Sequence, residues 1–348
     1  MDTPPQTDLR ERVVPFTAGD GFACTLVNVR GPAPPAKGPV LLVHGAGVRA
    51  DSLRPPVPEN LVTYLARRGW DVWLENWRAS TDLPPNEWTL DQAARFDHPA
   101  AVETVLAETG AASVDAFIHC QGSASFAMAA VAGLLPRVRT VVTNAVTLHP
   151  VVPAWSRFKL NVVVPMVGRL TPFLNPQWDR HAPSRTARFL YRFADLTHRE
   201  CDNAVCKQVS FYYGAGFPAL WAHENLDDAT HEWIRGEFAH VPLSFYRQIA
   251  RSVRAGHLLP AEPGTDLPED VATRAPQTDA RFAFFAGEQN RCFLPESQAR
   301  THTFFERHAP GRHALHVLPG YGHQDMFIGR HAARDVFPLI EAELERPG

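Results

Sequence analysis

Short apolar runs and helix-spaced stretches alternate through the first 146 or so positions of this chain. Residues 13–17 and 23–29 predict an opening pair of strands around the turn signal Gly19-Asp20-Gly21. Val40-Leu41-Leu42-Val43 is apolar at every position, the pattern of a strand covered on both faces of a parallel sheet. Helical spacing over 59–68 is followed by a strand over 71–74, a helix over 91–108 and a strand over 114–118. A helix of small residues over 122–134 and a strand over 138–146 complete the series. Such alternation implies a parallel sheet with right-handed helical crossovers. Beyond it, prolines, aromatics and amphipathic segments replace the alternation. The pattern resumes with strands over 281–285 and 314–318 and an amphipathic helix over 332–344. Two halves of one pattern around an insertion predict a discontinuous α/β core, 1–147 with 279–348, and a cap over 148–278.

Composition adds limits. With 348 residues, 45% of them hydrophobic and 20% charged, the chain has the apolar content for a sizeable core. Its 34 basic and 37 acidic residues leave a net charge of -3, which offers nothing to nucleic acid or to an anionic membrane surface. No apolar run reaches the roughly 18 residues of a membrane span, and residues 1–12 lack the apolar stretch of a signal peptide. A soluble cytoplasmic protein of undetermined oligomeric state is expected. Five cysteines, an odd number in a long chain, are expected as reduced thiols.

Four segments fall where the C-terminal ends of strands gather, which is where open α/β sheets place ligands. Cys120 lies between a strand and a helix of small residues, with Gly122 two positions on. That is the setting of a nucleophile on a tight turn, and the helix N-terminus favours its thiolate. His323, on the glycine-rich loop Gly320-Tyr321-Gly322, suits a general base. Asn290 follows the preceding strand, where a residue would orient that histidine; Glu288 and Asp325 are the alternatives. The segment His44-Gly45-Ala46-Gly47 can aim amides at an oxyanion, so the N–H groups of Ala46 and Gln121 are expected to form the oxyanion hole. His44, Gly47, His119 and Trp77 are expected to line the substrate pocket. His223, His231 and His240, with Glu224 and Glu232 nearby, fit no standard zinc spacing, and Cys201 and Cys206 read as packing thiols of the cap. From those spacings no metal is expected, and since no phosphate-binding glycine pattern follows a strand, no flavin or nicotinamide cofactor is expected either.

These residues together resemble the α/β-hydrolase superfamily over nearly the whole chain. Its elbow has the form G-x-S-x-G; here Ile118 replaces the first glycine and Cys120 the serine. Cysteine nucleophiles occur in the superfamily, in dienelactone hydrolases and polyhydroxyalkanoate synthases. The segments DVWLENWR (71–78) and WTLDQAARFDHPA (88–100) resemble acid lipases. His119 to Ser123, Cys201 to Asn203 and His223 to Leu226 are similar to the hydrolase-like region beside cholesterol-oxidase-type (GMC) flavoproteins, which implies association with a flavin oxidoreductase.

The expected activity is acyl transfer through a Cys120 thioester, with hydrolysis of an ester or thioester first and transfer to an alcohol or amine second. A non-catalytic partner of an oxidoreductase is the reading from a different class. Asn290 stands where hydrolases usually have Asp; its side-chain oxygen is expected to accept from the ring N–H of His323, as in Cys-His-Asn proteases. The cap aromatics Trp155, Phe158, Phe173, Phe211, Tyr212, Tyr213 and Phe217 suggest a bulky apolar acyl or alcohol group.

Overall fold

Eight of the chain's apolar runs pair into one sheet. In the computed structural model, which describes residues 9–146, 148–178, 182–216, 219–261 and 267–347, the strands are β1 (Arg10–Thr17), β2 (Ala23–Arg30), β3 (Pro39–Val43), β4 (Asp71–Asn76), β5 (Val114–His119), β6 (Val138–Asn144), β9 (Arg281–Gly287) and β10 (Ala314–Leu318). A short antiparallel pair, β7 (Phe173–Leu174) with β8 (Val241–Pro242), lies in the inserted region. The sheet order is β1-β2-β4-β3-β5-β6-β9-β10. Only the β1–β2 and β2–β4 pairs are antiparallel. Every residue of β3, β4, β5 and β9 is buried, as expected of strands covered on both faces.

The strand order fixes where chemistry can occur. From β3 the chain crosses to β4 on one side, and from β5 it crosses to β6 on the other, while β3 and β5 are neighbours. Their carboxyl ends therefore open a crevice at the switch point, between the loop after Val43 and the helix that begins at Cys120.

Two predicted helices are broken at prolines. The 91–108 segment is a short helix (Leu90–Gln92), a wide turn (Ala93–Asp97) and the helix His98–Thr109. Pro99 has no N–H to continue the regular ladder there. Likewise the last helix divides into Ala332–Asp335 and Phe337–Glu345, with Pro338 at the restart. The helix Pro295–His308 between β9 and β10 is an addition to the predicted elements. Thr147 and Phe217 lie outside the described residues, as do 262–266 of the proline-rich stretch before β9.

The lipase-like segments have a structural explanation. Arg78 and Asp97 are both buried and joined side chain to side chain, with the Arg78 N–H also donating to Asp97 Oδ2 at 2.9 Å. Beside them, His98 Nδ1 lies 3.0 Å from both Glu75 oxygens and its Nε2 lies 2.7 Å from Ser125 Oγ. The two arrays tie the end of β4 to the helix that starts at His98, and that helix to the one carrying Cys120. Removing one member of such a buried pair typically costs about 3–5 kcal/mol.

Candidate active site

β5 ends at His119, and the next residue turns sharply. Cys120 has φ +52°, a left-handed value unusual for a residue with a side chain, and it opens the helix Cys120–Val131. The turn fits only because Gly122 passes against the loop after β3: a Cβ there would stand 2.1 Å from the His44 carbonyl oxygen. The Cys120 sulfur therefore faces the backbone N–H groups of Gln121 and Ala46, and the Gln121 side chain as well. Burial pushes the thiol up to about 12, against the pull of those donors.

His323 arrives from the opposite side of the crevice. Its loop is drawn onto the end of β9, where Gly287 passes so close that a Cβ would overlap the Gly322 carbonyl oxygen. Its N–H and that of Gln324 both donate to the Leu220 carbonyl, at 3.1 and 2.8 Å. The Cys120 sulfur and one ring nitrogen each from His119 and His323 lie within 4.8 Å of one another. The His119 and His323 rings are 4.8 Å apart between centroids. The Asn144 backbone lies beside His119, but no aligned hydrogen bond forms, so neither ring nitrogen of His119 has a protein partner.

Asn290 meets His323, but with the opposite polarity to that expected. Its Nδ2 lies 3.1 Å from His323 Nδ1, while its Oδ1 accepts from the N–H groups of Cys292 and Phe293 at 3.0 and 3.2 Å. Those two backbone donors fix which end of the amide faces the ring. An NH2 donor opposite Nδ1 selects the tautomer protonated at Nε2. Neither alternative orienting residue reaches the ring. Asp325 is buried and accepts from the Gly322 and Ala222 N–H groups and from Asn225 Nδ2. Glu288 is exposed, beside the Gly320 N–H at 3.4 Å.

Four residues expected to line the pocket stand behind it instead. His44, His119 and Trp77 are 1% exposed or less. Trp77 Nε1 donates to the His44 carbonyl at 3.1 Å, and His44 Nδ1 turns to the Gly45 carbonyl at 2.7 Å. Gly47 is packed under Val241 and Tyr213. The His119 ring is packed against those of His323 and Phe327, at 4.8 and 4.7 Å between centroids, and Trp77 against Trp88 at 5.3 Å. The cavity in front of Cys120 is roofed mainly by the insertion: Lys159, Leu160, Tyr212, Tyr213, Tyr246 and Ile249. Of the cap aromatics, Trp155 and Phe158 stack on each other at the surface instead.

The Lys159 ammonium donates to the Phe211 and Gly214 carbonyls, and burial pulls its pKa down to about 8. The hydroxyls of Tyr212, Tyr213 and Tyr246 are buried without a hydrogen-bond partner, although those of Tyr213 and Tyr246 approach one another out of line. The sequence reading missed Lys159 and Tyr246. Helical spacing is visible in that stretch, but nothing in it shows which face turns toward Cys120.

The matched region is also extensive. Residues 38–329 match the alpha/beta hydrolase fold family. The chain belongs to the α/β-hydrolase fold family. Relatives of this hydrolase-fold chain include Lipase 1 of Drosophila melanogaster, 28% identical over 204 residues, 54% of this chain and 44% of that one. The chain thus spans less than half of that relative. Among solved structures, a monoglyceride lipase of Saccharomyces cerevisiae in complex with a substrate analogue superposes with TM-score 0.60 at 13% identity, covering 95% of this chain and 94% of its own. An epoxide hydrolase of Vigna radiata gives the same TM-score at 14% identity, covering 97% and 98%. At such identities these two likenesses bear on the fold alone. Among the described residues, no helix is long and apolar enough to cross a membrane.

Burial of histidines in this hydrolase fold sets an acid limit. Desolvation pulls His44 down to about 4 and His323 to about 3, and His119 falls well below its ordinary value. Between pH 6.5 and 4 the unfolded chain therefore binds more protons than the folded one, and stability rises with pH. The contribution is fully present above pH 6.5 and is lost as pH falls, at up to about 1.4 kcal/mol per pH unit for each histidine. Urea unfolding at pH 7.5, 6 and 5 is expected to show a progressive loss; a constant midpoint would contradict this account.

Proposed function

We propose that the chain hydrolyses a carboxylic ester or thioester through a covalent thioester on Cys120. The observation that carries this reading is the turn at Cys120, which sets the sulfur beneath the Gln121 and Ala46 amides at the mouth of the cap cavity, with His323 alongside. The thiolate attacks the substrate carbonyl, and the two amides receive the oxyanion that forms. The imidazole protonates the departing alcohol or thiol, and water then attacks the thioester with the same ring as base. Lipase relatives and the shared fold support ester substrates, and the cavity's leucine, isoleucine and aromatic walls suit a bulky apolar group.

Asn290 makes the first proton transfer the difficult one. To take the thiol proton, His323 needs a free lone pair at Nε2, hence a proton at Nδ1, where the Asn290 amide presents its own N–H. Turning the amide would sacrifice the two backbone bonds to Oδ1. Acylation is therefore slow at neutral pH and is expected to accelerate with alkalinity.

The test is intact-mass spectrometry after mixing with a series of activated acyl esters, followed by peptide mapping. The expected adduct lies on the peptide bearing Cys120 and decays in water. Decay only on adding an alcohol or amine would make the chain an acyltransferase. No adduct with any donor across the pH range would leave a binding role without turnover.

A further inference from the structure

A second cluster of ligating side chains lies in the cap, away from Cys120. Cys201 precedes the helix Ala204–Tyr213 and Cys206 is in its first turn; His223 is in the short turn His223–Asn225 and His231 in the first turn of the helix Asp228–Glu237. Fifteen residues or more separate the cysteines from the histidines, yet one ligand atom from each of the four lies within 4.8 Å of the others. Cys206 Sγ is 3.4 Å from His223 Nε2, and the two imidazole rings meet edge to face at 5.0 Å. Both thiols are free, and His231 Nε2 is buried with no hydrogen-bond partner.

Around tetrahedral zinc, bond lengths of about 2.3 Å to sulfur and 2.0–2.1 Å to nitrogen set ligand atoms roughly 3.3–3.8 Å apart. Closing this cluster onto one ion therefore needs the more distant ligand atoms to approach one another by about an ångström. We propose that Cys201, Cys206, His223 and His231 bind one zinc ion that fastens the cap to the loop carrying His323. Two thiolates and two imidazoles make a soft tetrahedral set, which favours zinc over the hard cations. With all four positions filled by protein, the ion is structural and offers no place to a substrate or an activated water.

Neighbouring bonds already hold the ligands in register. Asn203 accepts from the Cys206 N–H at 3.1 Å and donates to the His231 carbonyl at 2.5 Å, so one buried side chain spans both ligand-bearing helices. On the other side Asn225 donates to the Gly320 carbonyl and to Asp325, at 2.8 and 2.7 Å. The ion would thus be joined, through the His223–Asn225 turn, to the loop that presents His323. The spacings Cys-x4-Cys and His-x7-His match no standard zinc motif, because each pair is shaped by a different helix start.

The test uses the full chain, purified under reducing conditions without a metal-binding tag. Elemental analysis is expected to find about one zinc per chain. Cobalt exchanged into the native protein should give the visible bands of a tetrahedral site together with thiolate charge transfer. Zinc should also protect Cys201 and Cys206 from alkylation until a chelator is added. Cys120→Ala should retain the metal, whereas Cys201→Ser and His231→Ala should weaken its binding by more than the roughly 10–100-fold that loss of an outer hydrogen-bond partner of a ligand costs. Three results would overturn the proposal: reduced native protein that neither carries nor takes up zinc or cobalt, a Cys201–Cys206 disulfide in protein shielded from oxidants, or metal lost from Cys120→Ala and kept by Cys201→Ser. The cobalt spectrum and the alkylation pattern are read on the native chain, so a variant that fails to fold does not decide the matter.

Discussion

Cys120→Ser is expected to lower the rate of acylation by an activated ester about ten-thousandfold, and adding Asn290→Asp to that variant is expected to restore a substantial part. A serine hydroxyl loses its proton only as imidazolium forms, and imidazolium needs a charged partner at Nδ1. Replacing that partner by an amide in a serine enzyme costs about 10⁴ in turnover. Here the amide is native, and it presents N–H rather than oxygen to the ring. The serine variant would therefore combine a weak nucleophile with a histidine held in the wrong tautomer. An aspartate can keep the Cys292 and Phe293 N–H groups on one oxygen and offer the other to His323. Stopped-flow acylation of the four variants, parent, two singles and double, gives the coupling directly. If serine acts as fast as cysteine, or the double variant is no better than the serine single, the proposed pairing of sulfur with amide is wrong.

Asn290→Asp alone should accelerate acylation at pH 7 by about tenfold to a hundredfold, since a carboxylate beside an imidazole typically moves its pKa by one to three units. In the native site burial holds His323 at about 3 and Cys120 at about 12, so neutral thiol and neutral imidazole prevail at pH 7. The carboxylate raises the imidazole and, through the imidazolium, lowers the thiol. The pH–rate profile should shift from a climb into alkali toward a plateau near neutrality, and thiolate absorbance should appear at lower pH. Asn290→Ala separates the roles further. If the amide restrains the tautomer, alanine leaves acylation unchanged or faster; if it orients a productive ring, alanine slows it. An aspartate variant that is folded and no faster would remove Asn290 from the proton-transfer step.

The strands and the switch point were legible because apolar runs bounded by turn residues are local signals; each of the eight predicted strands of the sheet is present within a few residues. That Cys120, Asn290 and His323 come together was legible for the same reason, each following a strand at the same edge. The polarity of Asn290 was not, because it is decided by the N–H groups of Cys292 and Phe293, two backbone atoms that no residue pattern encodes. His44, His119 and Trp77 were placed in the pocket by their nearness in sequence to functional residues. They are buried by ring packing instead, His119 on His323 and Phe327, and Trp77 on His44 and Trp88, which nearness in sequence does not reveal. The cap cluster escaped because its histidines were compared with one another, when the side chains beside them are cysteines at the start of another helix.

The three tyrosines above Cys120 bear on selectivity. Tyr212, Tyr213 and Tyr246 line the cavity beside Lys159, Leu160 and Ile249, and their hydroxyls are buried without an aligned hydrogen bond to protein. A saturated acyl chain packed against them would leave those dipoles unpaired in a medium of low polarity, a penalty of about 1–3 kcal/mol for each. A molecule of the same shape bearing a ketone or ether oxygen at that height would satisfy them. Two esters of equal size could thus be told apart by one oxygen atom, because a site built around polar groups discriminates against a missing partner far more sharply than against a missing methylene.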